Sequence, residues 1–234
     1  MKAFQTIIGV FVVALLTACG GGGGGGAVVA SGPAASTLSF PLQSAYSASV
    51  AAGSSKSFTI SGTCTGSASI TRAAAAGGAT FEGVSGRLSS ASTFTGNYTN
   101  CTPSSFASTS TGYYDTNYVP LGSSTIGSNY GVYLTPPTVP SSVMVGATGV
   151  IGTQTLYTNS TKAVAAGRRD ISYVVEADTA STAIVNLIAK SYNASNILTF
   201  TEQDRYRIAA TGPLTIISFD VQYANGSTTR LLFQ

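Results

Sequence analysis

Glu202 and Asp204 stand two apart in the stretch Leu198-Thr199-Phe200-Thr201-Glu202-Gln203-Asp204-Arg205-Tyr206-Arg207-Ile208. In a continuous strand alternate residues share a face. Both carboxylates would then sit with Leu198, Phe200, Tyr206 and Ile208, while Thr199, Thr201, Gln203, Arg205 and Arg207 point the other way. Acids on an apolar face hold their protons to higher pH, and two of them are the equipment of a glycosidase-like hydrolase. The more ordinary reading of the same residues is a turn at Glu202-Gln203-Asp204, or an inward salt bridge to a neighbouring cation.

A second constellation is aromatic. Tyr113, Tyr114, Tyr118, Tyr130 and Tyr133 crowd a segment rich in Pro and Gly. Tyrosine offers a flat apolar face with a polar tip, so these loops could form a sugar- or peptide-binding surface. They could equally cover the end of a β-sandwich in a chain without Trp. Glu176 and Asp178 could lend oxygens to calcium, but no Asp-rich loop pattern surrounds them.

Much chemistry is excluded. Without histidine, the Ser-His-Asp and Cys-His systems, His-ligated zinc and the usual general base are all missing. Gly83-Val84-Ser85-Gly86 fails the spacing of a nucleophile elbow, and neither Lys56 nor Lys162 follows a Ser-X-X pattern. The seven glycines Gly20–Gly26 lack the Lys-Ser/Thr ending of a phosphate loop. No catalytic set, cofactor or metal is implied. Charged residues make up 8% of the chain and the net charge is +3, too weak and scattered for nucleic acid.

The N-terminus is the most specific signal. Lys2 gives a positive start, Ile7 to Leu16 an apolar run, and Thr17-Ala18 a small-residue exit, together a secretory signal. Phe4 to Ala18 falls short of the roughly 20 residues that span a bilayer. Leu16-Thr17-Ala18-Cys19 resembles the lipobox of bacterial lipoprotein precursors at all four positions. The resemblance implies cleavage after residue 18, acyl chains on Cys19 and membrane attachment through them. With Gly20 rather than Asp after the cysteine, it favours the outer membrane of a Gram-negative envelope. Two or three acyl chains hold a protein to a bilayer effectively permanently. Residues 19–37 then form a Gly-rich linker spanning about 25 Å root-mean-square.

Cys64 and Cys101 remain as an even pair in an oxidising compartment, which predicts a disulfide. Residues 38–234 show period-two alternation, in Ser57-Phe58-Thr59-Ile60-Ser61 and in Asp170 to Glu176 with Ile171, Tyr173 and Val175 on one face. Ala183 to Ala189 is apolar in both phases. Asn225-Gly226 signals a hairpin between strands 214–223 and 228–233. No helical stripe stands out, and 103–142 reads as long loops with short strands.

The expectation is an all-β, antiparallel sandwich or barrel-like domain, single although divisible into halves 38–142 and 143–234. Its whole length resembles uncharacterised β-rich envelope lipoproteins, which implies a lipid-anchored protein with a structural or interaction role and an unidentified envelope protein or glycan as partner. Glycan or peptide binding by the Tyr-rich loops and a carboxylate hydrolase are the alternatives.

Overall fold

Strand-forming alternation and frequent Gly and Pro breaks give thirteen strands among the described residues, which are 33, 35–224 and 229–234 of a computed structural model. The signal segment, Cys19, the glycine run and the Asn225-Gly226 turn lie outside them. Residues 33–234 belong to one unit. In chain order the strands are β1 (Ser54–Gly62), β2 (Gly66–Arg72), β3 (Ala76–Phe81), β4 (Val84–Tyr98), β5 (Ser105–Tyr114), β6 (Pro120–Thr125) and β7 (Tyr130–Tyr133). They continue as β8 (Thr148–Tyr157), β9 (Ala165–Ala177), β10 (Thr182–Asn193), β11 (Leu198–Ala209), β12 (Thr215–Tyr223) and β13 (Arg230–Phe233).

From β4 to β13 each strand pairs antiparallel with the next, and β13 returns to β1 through Ile60 opposite Phe233. Closure comes from β2, which pairs with β1 and with the second half of β4. The result is a closed antiparallel barrel of 12 strands. The fifteen residues of β4 make both closures workable: its first half pairs with β3 and its second half with β2. Closure gives β2 and β13 a partner on each side, while β3 keeps a single partner, β4.

One part of the lumen is packed with aromatic rings. Phe94 lies with its ring centre 5.1 Å from Phe106 and 5.2 Å from Phe233, and Phe58 lies 5.2 Å from Phe219. Ile60, Ile70 and Leu231 complete this side. The predicted disulfide is present: Cys64 and Cys101 join the β1–β2 and β4–β5 connections, with Cα atoms 5.7 Å apart. It ties the turns flanking the β2–β4 closure.

The sequence reading missed a helix. Residues Leu42–Ala52 form α1, which buries Leu42, Ala45 and Val50. Pro41 precedes it and Gly53 ends it with φ +70, where a Cβ would stand 2.6 Å from the Arg72 carbonyl. That Pro-start, Gly-stop frame is a legible signal; the small residues between hid the stripe. Its backbone and Ser49 hydroxyl bond to residues 75, 140 and 214, in the β2–β3, β7–β8 and β11–β12 connections. Those three connections share one end of the barrel, so α1 closes that mouth.

The outer face of β9 to β11 is polar. Opposite the lumen-facing Arg169, Ile171, Tyr173 and Val175, strand β9 turns Arg168, Asp170 and Glu176 outward. Glu176 accepts from the Arg205 Nε at 3.2 Å and the Asn186 amide at 2.8 Å; Arg207 donates to Asp178 at 2.6 Å. A membrane-spanning barrel needs an outward apolar band. On β9 to β11 that position is taken by these charged and amide side chains. Ile184 and Asn186 are nevertheless buried, beneath long side chains such as Arg205. That accounts for apolarity in both phases of 183–189 without a second layer.

Segment 103–142 differs from the expectation of mostly loop. Strand β5 runs ten residues and β6 six, so Tyr113, Tyr114, Tyr130 and Tyr133 lie on strands and only Tyr118 on a connection.

Candidate functional site

The strand reading of Glu202 and Asp204 holds and the turn does not. Strand β11 runs unbroken through both, with Glu202 opposite Ala189 and Asp204 opposite Leu187. They face the lumen in phase with Tyr206, and no described cation comes within 4.0 Å of either carboxylate, so the salt-bridge alternative fails as well.

Around them lies a cavity of about 300 Å³. Strand β2 ends on it at Arg72, β9 contributes Arg169, β5 Tyr114, β7 Tyr133, and α1 lowers Tyr46 into it. Each strand residue arrives by the same alternation. Ala68 and Ile70 share the inward face of β2 with Arg72, and Ile171 to Val175 share that of β9 with Arg169. Arg169 donates its Nε to the Ser191 hydroxyl at 3.2 Å and holds its guanidinium 5.9 Å from the Phe200 ring. Arg72 lies beside Tyr206, and Tyr46 beside Tyr114, close enough for their charges and dipoles to act on one another.

Burial pushes the Asp204 carboxyl well above its ordinary range, and the neighbouring Glu202 raises it further; Arg72 and Arg169 oppose this only in part. Asp204 Oδ1 is enclosed without a hydrogen-bond donor. Glu202 stands two residues away on the same face of β11, so its charge acts on Asp204 across the lumen side of one strand. Burial also lifts the hydroxyls of Tyr133 and Tyr206 to about 12, and raises Tyr46 and Tyr114.

The predicted tyrosines divide into three places. Tyr114 and Tyr133 line the cavity. Tyr113 and Tyr130 face outward, where the β3–β4 hairpin lays Phe81 against them with ring centres 4.5 and 5.5 Å away. Gly122 makes that contact possible, since a Cβ there would come 2.4 Å from the Phe81 ring. Tyr130 donates to Glu82 at 2.7 Å, and Glu82 also pairs with Lys162. Tyr118, with φ +63, lies on a turn that Asp115 organises by accepting the Asn117 and Val119 amides. It borders a smaller hollow of about 190 Å³ between α1 and the 115–119 and 137–139 segments. No single surface gathers all five. Glu176 and Asp178 are occupied by arginines, and no described cluster of three or more acids, His or Cys could hold a metal.

Arg72, Arg169 and Tyr46 went unnoticed in the sequence, though the two arginines extend inward faces that alternation defines. Compared with protein-family models, curated proteins and solved structures, the chain matches none.

Proposed function

We propose that this is a water-facing binding barrel, held to the bacterial envelope by acyl chains on Cys19, that takes a small ligand into its lumen. One observation carries the binding: two arginines and two carboxylates surround an open cavity without pairing with each other. Burying charges that lack partners opposes folding, and perturbed carboxyls in a cavity are a signature of working sites. Glycan binding by tyrosine moves, on this reading, from surface loops to Tyr46, Tyr114, Tyr133 and Tyr206. Anchoring rests on the lipobox resemblance, and the polar outer wall supports it, because such a barrel needs an attachment of another kind.

Two measurements test the two halves of this reading. Mass spectrometry of protein from an envelope-bearing bacterial host should find an acylated Cys19 at the new N-terminus; an unmodified, freely diffusing chain sinks the anchoring. Blocking the lumen with Ala189→Trp should abolish ligand-induced thermal stabilisation; unchanged stabilisation would place binding elsewhere.

A docking role has its own support. Ile126, Val164 and Ile197 are 80%, 57% and 61% exposed on the β6–β7, β8–β9 and β10–β11 connections, all at the end opposite α1. Three bare apolar tips on one rim suit contact with an envelope protein, and their replacement by Ser should remove crosslinks to neighbours in cells.

A further inference from the structure

We infer that the lumen takes a hydroxylated organic anion of one or two sugar rings, the class of acidic sugars, with its carboxylate held between Arg72 and Arg169. This rests on the lumen-binding reading above and specifies it. The argument begins with where the charges are. Glu82, Asp170, Glu176, Asp178 and Asp220 each have an ion-pair partner on the outer surface, while Asp115 caps a turn. The remaining acids, Glu202 and Asp204, face the lumen with Arg72 and Arg169, yet neither arginine reaches a carboxylate.

Donors outnumber acceptors there. Two guanidinium groups, each with five N–H donors, and four tyrosine hydroxyls face two carboxylates. An acceptor-rich anion completes such a site, and a guanidinium matches a carboxylate by paired hydrogen bonds. Asp204 and Glu202 can bond ring hydroxyls, and tyrosine faces suit the apolar side of a sugar. The volume of about 300 Å³ lies at the small end of ligand sites. Tyr46 and Val139 line both the cavity and the outer hollow where Tyr118 sits, so this thin partition beside α1 is where a ligand would enter once those side chains turn aside.

Adjacent residues provide the control. Arg169 points inward, whereas Arg168 points outward to Asp170 at 3.0 Å. The mature protein is titrated calorimetrically with glucuronate, its dimer, glucose 6-phosphate, glucose and maltose. We expect a uronate to bind at least tenfold more tightly than its neutral counterpart, Arg169→Gln to lose that preference, and Arg168→Gln to keep it. Arg169→Lys retains charge but not the paired geometry, and should lose at least threefold; its melting curve and that of Arg169→Gln verify folding. Neutral sugars binding as tightly as uronates overturns the anion assignment but leaves lumen binding standing, provided Ala189→Trp blocks them. Tight glucose 6-phosphate binding without uronate binding overturns the acidic-sugar class. Binding of none of the five overturns the assignment, and an anion preference untouched by Arg169→Gln removes these arginines from it.

Discussion

The same barrel is filled in two contrasting ways. Between β1, β2, β4, β12 and β13 the filling is phenylalanine, ring against ring, with Phe233 2% exposed. Between β9, β11 and α1 it is tyrosine, arginine and carboxylate around empty space. Dense apolar packing is what stability alone selects. The second region departs from that rule where polar groups converge, and such departures are expected at working sites. The two fillings meet on β2, which gives Ala68 and Ile70 to the packed side and Arg72 to the cavity.

Breaking the packed arc should have the largest effect. Phe233→Ala is expected to cost about 3–5 kcal/mol in urea unfolding, because it opens a hole among Phe58, Phe94 and Phe106 in the strand that closes the barrel. A loss under 1 kcal/mol would deny that arc its role. Replacing Cys64 and Cys101 together by Ala should cost about 3–4 kcal/mol in the loop-entropy view, again without touching ligand binding.

The open arc should respond with the opposite sign. Asp204→Asn is expected to stabilise the protein at pH 7. In the unfolded chain an aspartate releases its proton near pH 4, but burial holds the folded Asp204 proton to higher pH. Between those values the folded state binds more protons, so stability falls as pH rises. Comparing urea midpoints at pH 4 and pH 7 checks this: the parent should weaken across the interval relative to the variant. Equal slopes would mean that Asp204 ionises normally. Smallest of all, Arg205→Gln on the outer wall should cost about 0.2–1 kcal/mol, since its Glu176 partner is partly in water.

The fold was legible where one side of a strand meets water and the other the lumen. Asp170 to Glu176 alternates for that reason, and the face shared by Ile171, Tyr173 and Val175 was read correctly and turns out to point inward. The phase of Glu202 and Asp204 was legible too, and only the continuity of β11 was in doubt. What escaped had mixed chemistry. Arg169 follows the phase of Ile171 and Tyr173, but a charged residue in sequence reads as solvated. Tyr46 escaped because α1 is short and rich in Ala and Ser, so its burial comes from the barrel it closes rather than from its own pattern. The tyrosines were found as a group and then separated by strand pleat, which sends Tyr113 and Tyr114 to opposite sides of the wall.

Strand β13 has one more consequence. Four residues close the ring against β1, and the Gln234 backbone exchanges hydrogen bonds with Thr59 at 2.7 and 3.0 Å. The earliest strand thus waits for the latest, the costliest kind of pairing in loop entropy. The shell therefore stays unsealed until β13 slots between β12 and β1, so sealing is the last act of folding whatever the order in which the hairpins form.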